Sequence, residues 1–208
     1  MTGIGGVAAA GKRAARWAFL RAALRAPGTV GAVTPSSPQL AAVLSAVVPR
    51  AGTPTVVELG PGTGAVSAVI ERRLPPGSRH LAVELDAEMV GYLQRTRPAL
   101  EVVQGDARRL GALLAERGVD HADAVICGLP WALFDDATQQ VVLAEVSRAI
   151  GDCGAFTSFA YAHAMTLSAA RQFRRTLRAT FDEVLVSATV WRNVPPAFVY
   201  VCRRPIVR

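Results

Sequence analysis

The sequence predicts an α/β domain built on a doubly wound, mostly parallel sheet. Three observations lead there. Short apolar runs alternate with helical patterns from about residue 53 to residue 179. A glycine-rich turn, Gly60-Pro61-Gly62-Thr63-Gly64, joins the first apolar run to a helical pattern, and the chain closes with two apolar runs without a helix between them. Repeated strand–helix units of this length make parallel sheets through right-handed crossovers. Two strands joined directly pair antiparallel at a sheet edge.

The elements follow in chain order. Residues 9–26 predict a helix with Lys12, Arg13, Arg16, Arg21 and Arg25 and no acid. At about 100° per residue, Trp17, Leu20 and Leu24 share one sector. Lys12 and Arg16 flank it on one side, Arg21 and Arg25 on the other. This is the layout of an interfacial membrane helix with snorkelling arginines, and equally of an amphipathic helix docked on the domain. Pro27-Gly28 ends it. Ser36 or Ser37 before Pro38 predicts an N-cap with proline at the first helical position. Leu40, Val43, Leu44 and Val47 then keep helical spacing until Pro49, a pattern of packing. An N-terminal unit is therefore placed at residues 1–52 and the main domain at 53–208. In that domain strands are expected near 54–59, 80–84, 100–104, 122–127, 155–160, 183–190 and 197–202. Helices are expected near 64–74, 87–96, 109–117, 138–150 and 165–179.

Composition narrows the function classes. The 208 residues suffice for one such domain with a full core. Net charge is +7, carried by 22 arginines and Lys12, which points to an anionic partner only where the charge clusters. Cys127, Cys153 and Cys202 lie far apart without metal-ligand spacing. A disulfide framework and a metal site are therefore not predicted, and a reducing cytoplasmic setting is. No apolar run nears the ~20 residues of a membrane span. The basic residues of the N-terminus recur through its apolar stretch, so no cleaved signal peptide is expected.

In doubly wound sheets ligands bind beyond the carboxyl ends of the strands. Three such ends carry an acid: Glu58 after the first strand, Glu84 after the second, and Asp106 after the third. Glycines at alternate positions admit backbone N–H groups close to a ligand. The dinucleotide fingerprint needs a third glycine where this chain has Ala65, which argues against that cofactor. A carboxylate at Glu84 can accept from both hydroxyls of a ribose, and Asp106 can accept from an adenine amine or simply cap the helix after it.

Glu58 to Gly64, Glu84 and Gly105-Asp106-Ala107 together resemble the three cofactor motifs of class I S-adenosylmethionine-dependent methyltransferases, over roughly residues 53–202. The resemblance implies a Rossmann-like, seven-stranded sheet whose last strand is antiparallel. It implies S-adenosyl-L-methionine as cofactor and S-adenosyl-L-homocysteine as product. Gly60, Gly62, Thr63 and Gly64 are then expected with Glu58 near the methionine part. Glu84 falls on the ribose, Leu85 against the adenine, and Asp106 with Ala107 at the adenine amine; Gly128 completes the cofactor set.

The fourth strand ends in Cys127-Gly128-Leu129-Pro130-Trp131. This turn resembles that of the ribosomal RNA adenine dimethyltransferases, except that Gly128 stands in place of their asparagine. The side-chain acceptor for an exocyclic amine is therefore missing, which counts against a nucleobase. Gly128-Leu129-Pro130, with Gly31 to Ser37 and Trp191 to Ala197, is similar instead to the bacterial phospholipid N-methyltransferases. The resemblance then implies a phosphatidylethanolamine-type acceptor, with Leu129, Pro130, Trp131, Tyr161 and Arg192 on the substrate side.

Methyl transfer from a sulfonium needs mainly in-line positioning of a neutral amine, worth roughly 7–11 kcal/mol. His163 is a candidate base for the ammonium proton, or a core or surface histidine. Trp131, Tyr161 and Trp191 are candidate faces for a growing cationic charge, each worth ~0.5–2 kcal/mol; the alternative for the tryptophans is core packing. Arg192 is a candidate for the lipid phosphate. Arg171, Arg174, Arg175 and Arg178 share one helix face, either solvated or against an anionic surface. Too few aromatics accompany the basic segments for base stacking, so an anionic membrane is preferred to RNA and nucleic acid is not expected. The predicted setting is cytoplasmic, peripheral on the inner face of the membrane. Two other readings stay open: a soluble small-molecule methyltransferase with the N-terminal helices as a lid, and an RNA methyltransferase or non-catalytic cofactor binder.

Overall fold

The structure, a computed structural model, describes residues 36–206. The basic stretch 9–26 and residues 31–35 of the leading segment lie outside the described residues. In chain order the elements are α1 (Pro38–Leu44), β1 (Thr55–Leu59), α2 (Ser67–Arg73), β2 (Arg79–Glu84), α3 (Ala87–Thr96), β3 (Glu101–Gln104) and α4 (Leu110–Ala115). Then follow β4 (Ala124–Cys127), α5 (Asp136–Ile150), β5 (Ala155–Tyr161), α6 (Ser168–Thr180), β6 (Phe181–Val186) and β7 (Ala197–Pro205).

One seven-stranded sheet runs in the order β3-β2-β1-β4-β5-β7-β6. The first five strands pair in parallel, and β7 is antiparallel to both β5 and β6. This is the doubly wound sheet that the alternating pattern predicts, with the helix-free strand pair at one edge. Strand order reverses between β1 and β4, so the binding crevice opens there. Side chains alternate across the sheet and feed separate cores. Val57, Leu59, Val125 and Phe156 pack with Leu113 of α4, Leu143 of α5 and Phe173 of α6. Val56, Ala124, Ile126 and Val199 pack with Leu40 and Leu44 of α1 and Ile70 of α2.

Several element boundaries differ from those expected. α2 starts at Ser67 and not at 64, because Gly64 (φ +80°) still belongs to the turn, its N–H donating to the Pro61 carbonyl at 2.9 Å. A 3-10 turn, Ala162–Thr166, takes the first residues expected of α6. β6 stops at Val186 and not at 190. Beyond it the Val199 N–H donates to the Ser187 hydroxyl (2.9 Å), a local side-chain acceptor that replaces a ladder carbonyl.

α1, expected within residues 1–52, is built into the domain. Ser37 caps it, its Oγ accepting from the Leu40 N–H at 3.2 Å, with Pro38 at the first helical position. Its last carbonyls would otherwise be orphaned. The Arg73 guanidinium donates to the carbonyls of Ser45 (2.9 Å) and Ala42 (3.1 Å), and Thr157 Oγ1 donates to that of Leu44 (2.9 Å). Asn193, buried between β6 and β7, joins the two ends of the described chain. Its Oδ1 accepts from the Ser37 N–H at 3.0 Å and its Nδ2 donates to the Pro195 carbonyl at 2.7 Å. Truncating it strands both partners. Asn193→Ala is expected to lower the unfolding free energy by about 1–3 kcal/mol in urea titrations, whereas Trp191→Ala two residues away, at a side chain 76% exposed, should change it by less than about 0.5 kcal/mol.

Candidate active site

The glycine turn follows β1 at the point of strand reversal. Gly60, Gly62 and Gly64 all have positive φ (+68°, +55° and +80°), a region that other residues avoid. The Gly60 N–H donates to the Val83 carbonyl at 3.0 Å, which fixes the turn to β2. Glu84, the last residue of β2, reaches the same turn. Its Oε2 accepts from the Gly62 N–H at 3.4 Å and its Oε1 from the Asp86 N–H at 3.0 Å. The Gly105 N–H in turn donates to the Glu84 carbonyl at 2.9 Å. Three strand ends thus meet around one buried carboxylate. Burial pushes the Glu84 carboxyl above the ordinary carboxylate range, against the N–H groups of Asp86, Gly62 and Leu85, which pull it down. Thr63 is exposed on the turn and Leu85 half-buried beside Glu84.

Glu58 lies beneath the turn, 2% exposed. Its Oε2 accepts from Ser67 Oγ at 2.6 Å and stands 3.3 Å from His80 Nε2. That imidazole is buried, and neither ring nitrogen makes an aligned hydrogen bond. The contact with Glu58 is one of proximity. Ser67 and His80 were not among the expected site residues. The signal for His80 was a histidine in an otherwise apolar strand; for Ser67, nine positions past Glu58, the sequence carried none.

Asp106 caps the 3-10 turn Ala107–Arg109, its Oδ1 accepting from the Arg108 N–H at 2.9 Å. Its Oδ2 is held by the Arg108 guanidinium, through Nε at 2.8 Å and through Nη2. The capping alternative is thus realised, and Ala107 sits half-buried in the turn that it starts.

The fourth strand end crosses the first. The Gly128 N–H donates to the Leu59 carbonyl at 2.8 Å, and a Cβ on Gly128 would lie 2.7 Å from the Gly60 carbonyl oxygen. Leu129 covers Gly60 from the other side, with its Cδ2 2.7 Å from where a Gly60 Cβ would be. Pro130 (φ −82°, ψ +82°) centres a tight turn that lets the Trp131 N–H donate to the Leu129 carbonyl at 3.1 Å. This turn carries Trp131 into the core. The ring stacks on Phe173 (4.6 Å, 22°), meets Phe134 and Phe156 edge-on, and donates Nε1–H to Ser158 Oγ at 2.7 Å. At 4% exposure Trp131 packs the core; it does not present a face for a substrate cation. The Cys127 thiol, pushed up to about 12 by burial, stays protonated and is no nucleophile.

Tyr161, expected on the acceptor side, ends β5, half-buried, with burial raising its phenol. Its ring stacks on that of His163 (5.8 Å, 19°) and meets Phe159 edge-on. His163 is exposed, as is Arg192. Trp191 is 76% exposed, so its core alternative is overturned. The structure therefore gathers the glycine turn, Glu84, Gly128 and Leu129 tightly, and sets Tyr161 with His163 two strands along the same edge.

A sequence profile described as a methyltransferase domain matches residues 56–154. The ornithine lipid N-methyltransferase of Singulisphaera acidiphila is 32% identical over 177 residues, covering 84% of this chain and 88% of that protein. Ribosomal RNA small subunit methyltransferase A of Burkholderia mallei is 39% identical over 93 residues, only 34% of its length. Among solved structures, a predicted O-methyltransferase of Agrobacterium tumefaciens superposes with TM-score 0.60 at 15% identity, over 81% of each chain. A TehB-like S-adenosylmethionine-dependent methyltransferase of Corynebacterium glutamicum does so with TM-score 0.56 at 17% identity, over 96% of this chain and all of that one. The fold is that of a class I methyltransferase. The chain belongs to the S-adenosylmethionine-dependent methyltransferases, in the branch that resembles the lipid N-methyltransferases.

The residues fit that cofactor: a turn without side chains at three positions faces a buried carboxylate able to accept from hydroxyls. Bound there, S-adenosylmethionine supplies a methyl group already activated on a sulfonium.

Two outcomes test the geometry. A carboxyl raised by folding takes up a proton at a pH where the unfolded chain has lost it. The stability of the free protein should therefore fall as pH rises from about 4.3 through the higher folded value of Glu84. Melting curves of Glu84→Gln against wild type should show that decline removed, while calorimetry shows weaker S-adenosylmethionine binding in the variant. Gly128→Ala should keep its circular dichroism but bind the cofactor about tenfold or more weakly, because the methyl group must push the Gly60 carbonyl away.

Proposed function

We propose that the enzyme methylates the amine of a lipid headgroup, of the phosphatidylethanolamine type or a related amine lipid, at an anionic membrane surface. The observation that carries this reading is the 32% identity to an ornithine lipid N-methyltransferase across 84% of this chain and 88% of that one. Gly128 supports it from the site itself. Where nucleobase-directed relatives place an asparagine, this turn has no room even for a Cβ. Among the described residues no helix is long and apolar enough to cross a membrane, so contact with lipid falls to surfaces.

In this reading Glu84 accepts from the ribose hydroxyls and the glycine turn lines the methionine part, with Glu58 holding the turn from beneath through Ser67. Leu129 and Pro130 wall the crevice where the two loops cross. The acceptor amine must arrive neutral, so its ammonium proton has to leave first. His163, exposed and stacked on Tyr161, takes that proton or passes it to water. The Tyr161 ring stabilises the cation that grows as methyl groups are added, and its raised phenol stays protonated. Arg192 pairs with the headgroup phosphate.

Cells expressing the protein and fed methyl-deuterated methionine supply the test. Lipid mass spectrometry should show labelled N-methylated headgroups that vanish in Glu84→Ala. Label in soluble metabolites or ribosomal RNA, with none in lipid, would overturn the reading.

A further inference from the structure

Nine large hydrophobic side chains are exposed among the described residues. Six of them, Met165, Leu167, Leu185, Val186, Trp191 and Val194, gather at one place in the fold. Met165 and Leu167 belong to the turn that leaves β5. Leu185 and Val186 end β6, and Trp191 and Val194 lie on the turn into β7. Because β7 is antiparallel to β5 and β6, all three segments emerge at the carboxyl edge of the sheet. The two turns are joined there. Tyr161 pairs with Ala197, and the Ala162 N–H donates to the Pro196 carbonyl at 2.8 Å. The turn before β7 is also braced from within by Asn193. Trp191 and Val194 are 76% and 73% exposed, on a backbone that holds them there. Exposed apolar side chains gathered in one place, and not scattered singly, are the signature of an interaction surface.

The C-terminal segment that carries these tips is strongly basic. After Asp152 the chain contains only two acids, Asp182 and Glu183, against eight arginines. Both acids sit at the start of β6, facing Arg204 and Arg203 at 3.1 and 3.7 Å. From Glu183, the nearer acid, to Val186 the strand rises about 10 Å, beyond the ~8 Å screening length in physiological salt. The acids therefore do not offset the rim, where Arg192 lies exposed between Trp191 and Val194. A tryptophan and aliphatic tips beside an arginine match a bilayer interface, with apolar chains below an anionic layer.

We propose that this rim, formed by the turns 162–167 and 187–196 with the end of β6, is a membrane-docking surface that inserts Met165, Leu167, Trp191 and Val194 into an anionic leaflet. The assignment rests on the lipid-acceptor reading and adds to it the side from which the lipid comes. Docked by this rim, the crevice edge at Tyr161 faces the headgroup layer, so an acceptor amine has only to rise out of the leaflet.

The test is flotation of the full chain with vesicles of phosphatidylcholine alone or mixed equally with phosphatidylglycerol. The disruptive variant is Leu167→Asp with Val194→Asp. Leu167 is the N-cap of α6 and Val194 is exposed, so both sites accept an acid without loss of fold. Wild type should float with the anionic vesicles, and the double variant should partition about tenfold or more weakly while keeping its melting temperature and S-adenosylmethionine affinity. Arg192→Glu should lose the preference for anionic over neutral vesicles. Equal partition of wild type and the double variant overturns the docking surface, as does wild type that binds neither vesicle. A dimer that the double variant breaks, with vesicle binding unchanged, overturns it in favour of a second copy of the chain. Methylation of the same lipid dispersed in detergent micelles separates the two readings. If it persists in the double variant the lipid acceptor stands whatever the rim does; if wild type methylates no micellar lipid, that acceptor falls.

Discussion

The crossing of two loops at the point where strand order reverses is the constraint on which the rest of the site depends. Leu59 and Cys127 are paired neighbours at the ends of β1 and β4, so the chains that leave them must pass within van der Waals reach. They do so at Gly60 and Gly128, with no side chain on either. The Gly128 N–H closes on the Leu59 carbonyl, and its missing Cβ leaves the Gly60 carbonyl in place. The same requirement extends outward. Gly60 is anchored to β2 through Val83, and Gly105 to the carbonyl of Glu84. Each strand end is thus fixed by its neighbour before any ligand is present, and pre-organisation of this kind lowers the entropic cost of binding.

Around that crossing two buried acids divide the work by their surroundings. Glu58 is held under the turn by the Ser67 hydroxyl, with the His80 ring beside it. Glu84 has only backbone N–H groups, at 3.0 and 3.4 Å, and burial raises its carboxyl despite them. The free protein therefore bears the cost of a desolvated carboxylate whose acceptor positions are incompletely used. Hydroxyl donors from a ribose would use them. In the proposed binding mode the cofactor would relieve a cost that the fold imposes, and its affinity would be tied to the ionised state of Glu84.

Much of this was legible in the sequence because it is local. The glycine turn needs three residues with positive φ close together, and Gly60, Gly62 and Gly64 announce them. The serines before Pro38 announced a cap for α1, which Ser37 supplies, and the two apolar runs without a helix announced the antiparallel edge. What the sequence could not carry were pairings across strands. Ser67 and His80 meet Glu58 from two other elements, and Asn193 reaches Ser37 across 156 positions. Trp131 shows the same limit from the other side. Its place after Leu129-Pro130 suggested a face for the substrate cation, but the tight turn at Pro130 swings it onto Phe173, 42 positions later. Asp106 fitted two roles on paper, and the position of Arg108 decided that it is at least a cap.

On the proposed function, methyl donor and acceptor divide the sheet between them. The donor side is β3-β2-β1-β4, parallel strands whose ends are tied to one another by backbone hydrogen bonds; substitutions there disturb a lattice. The acceptor side begins at β5 and passes to an antiparallel pair whose connections are turns on the surface. Turns tolerate change because few buried contacts depend on them. Here one is stiffened from beneath by Asn193 and by the Ala162–Pro196 bond, while Trp191, Arg192 and Val194 on its outer side touch little. A rigid turn with free outer positions can change what it meets without altering what the crevice binds. If the lipid-acceptor proposal holds, residues 191–194 are where the surface that meets the acceptor can vary without disturbing the turns that would hold the methyl donor.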